Sequence, residues 1–106
     1  MTVVEPTESS VLDGSGLLRL YIAGQSPKSI KALANLRRLR EQHLGSRYTI
    51  EVVDLAEHPR RAAEDEILAI PTLVRRLPIP VRKIIGDLSD AKRVIAGLDL
   101  LPERSR

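Results

Sequence analysis

The 106-residue chain contains no cysteine, no tryptophan and no phenylalanine. Without a thiol there can be no disulfide, no thiolate nucleophile, no thiolate zinc site and no CxxC redox chemistry. Tyr21 and Tyr48 are the only aromatic residues, so the core must be built from Leu, Ile, Val and Ala. Two tyrosines cannot assemble a stacking platform for bases, and no zinc signature accompanies them, so no nucleic-acid partner is expected. The two histidines, His43 and His58, lack metal-ligand spacing, so neither a metal nor another cofactor is expected. No apolar run approaches the roughly 20 residues that span a bilayer. The N-terminus carries acidic residues and lacks the basic start of a secretion signal. The expectation is a soluble, cytoplasmic protein that does not contact membranes.

The length suits one small domain with a core of its own. Charge is unevenly placed. The net charge is +3, but residues 1–16 hold Glu5, Glu8 and Asp13 and no Lys or Arg, which leaves +6 on the rest. A basic body suits an acidic partner surface. Residues 1–16 are polar and aperiodic and read as a flexible acidic leader. The domain proper spans 17–101, and 102–106 form a frayed tail.

Residues 17–24, "LLRLYIAG", are almost continuously apolar and predict a central strand buried on both faces. The next segment predicts a helix. Ser26 is placed to cap it, Pro27 fits its first turn and Gly45 closes it. Ile30, Leu33, Ala34, Leu36 and Leu39 form its apolar stripe. "RYTIEVVDL" (47–55) predicts a second strand, and the crossover length makes the pair parallel and right-handed. Pro59 opens a short helix that turns Ala62, Ala63, Ile67 and Leu68 inward. Residues 70–77 and 81–88 predict two short strands joined by "PIP". Ser89 caps a final helix with Ala91, Val94, Ile95 and Leu98 on one face. Asp87 and Asp90 resemble a carboxylate pair, but a turn and a helix start explain them. His58 reads as a cap.

The order is βαβαββα, a parallel half followed by an antiparallel hairpin and a helix. This is the α/β order of thioredoxin-like domains, which open the third strand with a cis-proline. Pro71 stands at that place. A cysteine-free thioredoxin-like interaction module, or a glutathione binder using the proline loop, is therefore one functional reading.

The stretches "LYIAGQSPKSIKAL", "AEDEILAIPTLVRRLPIPVRKIIGDLSD" and "GLDLL" carry a second one. Together they resemble the KaiB family of circadian clock proteins, from about Leu18 to Leu101. The resemblance implies a non-catalytic protein that binds the ATPase ring of the KaiC hexamer and modulates its phosphorylation and ATPase cycle by switching fold. KaiA or a KaiC-binding histidine kinase is implied as a further partner or competitor. It also implies two folds: the thioredoxin-like βαβαββα when bound to KaiC, and a ground-state βαββααβ in a homo-oligomer, tetramer or dimer, when free. The chain departs from the cyanobacterial pattern. Its leader is longer and more acidic, the flanking tyrosines are missing, and Pro102 follows Leu101. These departures point to a homologue from outside the core cyanobacterial clock.

Candidate contacts to KaiC are Lys28, Lys31, Arg37, Arg38 and Arg40 on the first helix, and Arg75, Arg76, Arg82 and Lys83 in the hairpin. For the switch, the family implies control by the glycine and aspartate of "GLDLL", Gly97 and Asp99. The residues agree with this. Gly97 inside a helix costs about 1 kcal/mol relative to Ala. Asp99 faces the negative end of the helix dipole, a cost of roughly 0.3–1 kcal/mol. Pro71, Pro78 and Pro80 are fixed punctuation between segments whose local signals disagree.

Overall fold

The computed structural model describes residues 16–102. Residues 1–15 of the leader and the last four residues lie outside the described residues. Seven segments follow in order: β1 (Gly16–Ile22), α1 (Pro27–Leu39), β2 (Tyr48–Asp54), a 3-10 helix (Pro59–Asp65), β3 (Thr72–Leu77), β4 (Arg82–Ile85) and α2 (Ala91–Gly97). This is the thioredoxin-like order of the two expected, carried by the single chain.

The sheet runs β2-β1-β3-β4. β1 and β2 are parallel, with Leu18 opposite Ile50 and Leu20 opposite Val52. β3 is antiparallel to β1 and to β4, with Leu20 opposite Leu73 and Leu73 opposite Ile84. β1 is thus central and carries side chains into two separate cores. Leu18, Leu20 and Ile22 point to the face covered by both α-helices. Tyr21 points to the opposite face, with Val53, Leu55 and Val74. Gly16 is already paired with Tyr48, so the domain opens one residue earlier than its composition suggests.

The stripe of α1 differs from the expected one. Ser29, Ala32, Leu36 and Leu39 are buried, whereas Ile30 and Ala34 face outward. The cap rotates the helix. Ser26 accepts the Ser29 amide at 3.3 Å, and the wholly buried Ser29 hydroxyl bonds Ser26 Oγ at 2.8 Å and the Ala23 amide at 3.0 Å. A serine with these partners takes an inward position that apolar counting gave to Ile30. After Leu39 the helix widens into a π-turn (Arg40–Leu44), closed by the Gly45 amide on the Arg40 carbonyl at 2.8 Å. The extra residue brings Leu44 into the core where a continuous α-helix would have brought His43.

The second predicted helix is a 3-10 segment. It ends at Glu66, whose φ of 54° lies in the left-handed region. That turn sends Leu68 outward, where it is 97% exposed, instead of inward as its spacing suggests. His58 occupies the N-cap position but makes no side-chain bond there. The hairpin forms as expected, with Pro78-Ile79-Pro80 as its connector. The peptide bond before Pro71 is cis, and so are those before Pro78 and Pro80.

α2 is capped by Asp90, which accepts the Arg93 amide at 3.2 Å, and not by Ser89. Asp87 instead accepts the Ser89 amide at 3.1 Å, and these bonds, first from the Ser89 side chain, hold its carboxyl below the usual range. Gly97 is the last helical residue, not an interior one. Asp99 follows at φ 51°; its amide reaches the Ala96 carbonyl at 3.2 Å, and the Leu100 amide reaches Ile95 at 2.9 Å. This is a Schellman stop with aspartate where glycine is usual.

Candidate docking surface

In redox-active relatives of this fold, chemistry sits at the entrance to the first helix. Here that entrance is Gly24-Gln25-Ser26-Pro27. The Gly24 amide donates to Asp54 Oδ1 at 2.9 Å, and Ser26 and Ser29 close the helix terminus between them. The entrance carries no sulfur, and its hydroxyls are spent on capping. Among the described residues, no group of three or more His, Asp or Glu could hold a metal. No helix of the described residues is long and apolar enough to cross a membrane.

What the surface does offer is exposed apolar area with basic neighbours. A groove of about 380 Å³ is lined by Ile67, Leu68, Thr72, Ile84 and Ile85, with Lys83 and Arg93 among its polar walls. Leu68 stands free in solvent, and Ile85 at the outer strand is 59% exposed. The left-handed turn at Glu66 creates this rim. Sequence spacing alone missed Leu68, because an amphipathic pattern assigns it inward. The glutamate-led break of the helix gave no readable signal.

The expected basic contacts divide into three kinds. Lys28, Lys31, Arg37, Arg38 and Arg40 are exposed along α1 and its π-turn. Arg37 and Arg40 also line a smaller cleft with Leu33, Leu36 and Ile50. Arg82 and Lys83 are exposed on β4, although the Lys83 ammonium bonds the Asp65 and Glu66 carbonyls. Arg76 is half-buried and pairs with Asp65 at 3.4 Å. Arg75 is not a surface residue at all. It is 4% exposed and donates to the carbonyls of Pro80 and Asp99. Backbone carbonyls on two neighbouring elements solvate it well enough to bring it inside.

On the second sheet face, Arg19 is buried at the centre of a charged cluster. It meets Glu51 at 2.8 Å, Glu64 at 2.9 Å, Asp65 at 3.3 Å and the Tyr21 hydroxyl at 3.1 Å. Burial opposes the Arg19 charge, but bonds to Tyr21 and Glu51 outweigh it and hold the guanidinium more firmly charged than usual. Burial, and then the bond to Asp65, push the Tyr21 phenol up. The Arg61 bond holds the exposed Glu64 carboxyl below the usual range.

The model of the KaiB domain matches residues 19–100. The chain belongs to the KaiB family. Among curated members, it is 53% identical to the circadian clock oscillator protein KaiB of a Nostoc species over 87 residues, covering 82% of this chain and 81% of that one. It is 46% identical to the circadian clock protein KaiB3 of a Synechocystis species, covering 82% and 85%. In three dimensions it is similar to the N-terminal domain of SasA from Synechococcus elongatus, with a TM-score of 0.62, 19% identity and coverage of 93% and 89%. It is also similar to mitochondrial thioredoxin 3 of Saccharomyces cerevisiae, with a TM-score of 0.65, 20% identity and coverage of 87% and 84%. At these identities the structural likenesses establish the thioredoxin-like fold alone. The KaiB match takes in the groove, both basic elements and the Arg19 cluster.

Proposed function

We propose that this KaiB-family protein is a non-catalytic, cytoplasmic clock or timer component that docks on the ATPase ring of the KaiC hexamer and modulates its phosphorylation and ATPase cycle. The observation that carries the reading is Leu68, an unsupported apolar side chain at the rim of a groove with Lys83 and Arg93 beside it, on a family scaffold whose helix entrance has no thiol. Exposed apolar anchors with basic neighbours are what a docking surface needs, and they supply no chemistry. Lys28, Lys31, Arg37, Arg38, Arg40, Arg82 and Lys83 supply charge for acidic ring surfaces, with Arg76 at half exposure. Arg75 serves inside the fold. Gly97, Asp99, Pro71, Pro78 and Pro80 set the balance between this fold and the βαββααβ order of a free homo-oligomer. KaiA or a KaiC-binding histidine kinase competes or joins at the ring.

Size-exclusion chromatography of the chain with its cognate KaiC hexamer and ATP tests the reading. A co-eluting complex that grows over hours is expected. Its absence after long incubation at several temperatures would overturn the proposal.

A further inference from the structure

Residues 59–67 are attached to the sheet in an unusual way. The bonds made by the Arg61, Glu66 and Ile67 amides are all local, to His58, Ala63 and Ala62. Ala62 and Ile67 are the only apolar side chains of the segment that pack on the second core, and both are only partly buried. The remaining ties are charged. Arg19 reaches Glu64 and Asp65, Arg61 reaches Glu51 at 3.4 Å, Arg76 reaches Asp65, and Lys83 bonds the Asp65 carbonyl. Tyr21 donates to Asp65 at 2.6 Å. Three arginines, 19, 61 and 76, face three carboxylates, Glu51, Glu64 and Asp65, with the Lys83 ammonium on the Asp65 carbonyl beside them. Only Arg19 touches all three carboxylates and the phenol.

We infer that Arg19 is a positioning residue that latches residues 59–67 to the second face of the sheet by ion pairs. Releasing the latch frees the segment as a unit and shifts Leu68 at its end. The functional consequence, control of the groove by the latch, rests on the docking reading; the latch itself is a property of the thioredoxin-like order and needs no partner. Arginine is required because its planar fork can serve several oxygens at once, whereas lysine offers a point charge. Glu51, Glu64, Arg61 and Arg76 are each about one-third exposed or more, so salt reaches their pairs. The apolar contacts of β1 and β3 gain nothing from dilute salt and lose nothing in concentrated salt.

Amide hydrogen exchange, followed by NMR on the monomer in the thioredoxin-like order without KaiC, tests this. Raising sodium chloride from about 50 mM to about 1 M is expected to speed exchange of the 61–67 amides about fivefold, leaving β1 and β3 amides no faster. Arg19→Met is expected to speed the same amides at least tenfold at low salt and to lessen their salt dependence, with Arg19→Lys intermediate. If Arg19→Met does not fold, Asp65→Asn replaces it; it removes the charge yet keeps an acceptor for Tyr21, and the same selective loss of protection is expected. Segment amides that exchange with the β1 amides in every variant, or that ignore salt in the parent, would overturn the latch. No KaiC is present in these measurements. A failure to bind KaiC would therefore refute the docking reading while leaving this result standing.

Discussion

Arg75 lies buried against Asp99. Its Nη1 donates to the Asp99 carbonyl at 3.0 Å, and its Nη2 donates to the Pro80 carbonyl at 2.8 Å. One guanidinium thus ties the hairpin connector to the C-terminus of α2. Its positive charge faces the negative end of that helix, where Asp99 alone would be unfavourable. The Asp99 carboxylate is 4.0 Å away and largely exposed, so the carbonyl is the main partner.

Replacing Arg75 by Met keeps most of the volume and removes both bonds. Two carbonyls lose a charged donor, and the connector is no longer held to the helix. The expected cost is about 2–3 kcal/mol, read as a lower midpoint in urea unfolding. A change below about 0.5 kcal/mol would mean the carbonyls find other donors.

Asp99 and Gly97 act on the same helix end by different routes. Asp99→Gly relieves a left-handed backbone and is expected to stabilise this fold by about 1 kcal/mol. Gly97→Ala gains helix propensity of at most about 1 kcal/mol. Its new Cβ would meet Ile84 Cδ1 at 3.2 Å, so the net gain is smaller. Urea unfolding of the two variants should rank Asp99→Gly above Gly97→Ala; the reverse order would place the strain at Gly97. Both variants should also bind KaiC faster, if the bound form is the one described here.

Leu68 supports nothing inside the protein. Leu68→Asp should therefore leave the unfolding midpoint within about 0.5 kcal/mol of the parent. Complex formation with KaiC should weaken at least tenfold, as for an apolar anchor at the centre of an interface. Unchanged affinity would move the docking surface away from the groove.

Tyr21 makes stability depend on alkaline pH. Its folded phenol is raised above the unfolded value of about 10, so the protein favours the neutral form. The contribution is complete below the unfolded value and is lost as pH rises through the raised folded value. The difference in tyrosinate absorbance between the parent and Tyr21→Phe should show this late titration. The variant should lose the steepest part of the alkaline fall in stability. A Tyr21 titration at the ordinary phenol value would contradict the buried bond to Asp65.

The βαβαββα order as one of two candidates, the central place of β1, the connector at Pro78–Pro80 and the exclusion of thiol chemistry were legible in the sequence alone, whereas the choice between the two orders was not. Each rests on local signals: runs of apolar and β-branched residues, caps, prolines and an absent thiol. The same stretches carried the family. The fate of single side chains did not follow from such signals. Arg75 counted as surface charge and lies inside, because two carbonyls brought together by the hairpin and α2 receive it. Leu68 counted as core and lies outside, because a left-handed turn at Glu66 ends the segment early. Arg19 gave no signal, since its partners Glu51 and Glu64 stand 32 and 45 residues away. A polar group is buried only where distant elements bring partners to it, so the tertiary structure alone decided which charges hold the fold and which face a partner.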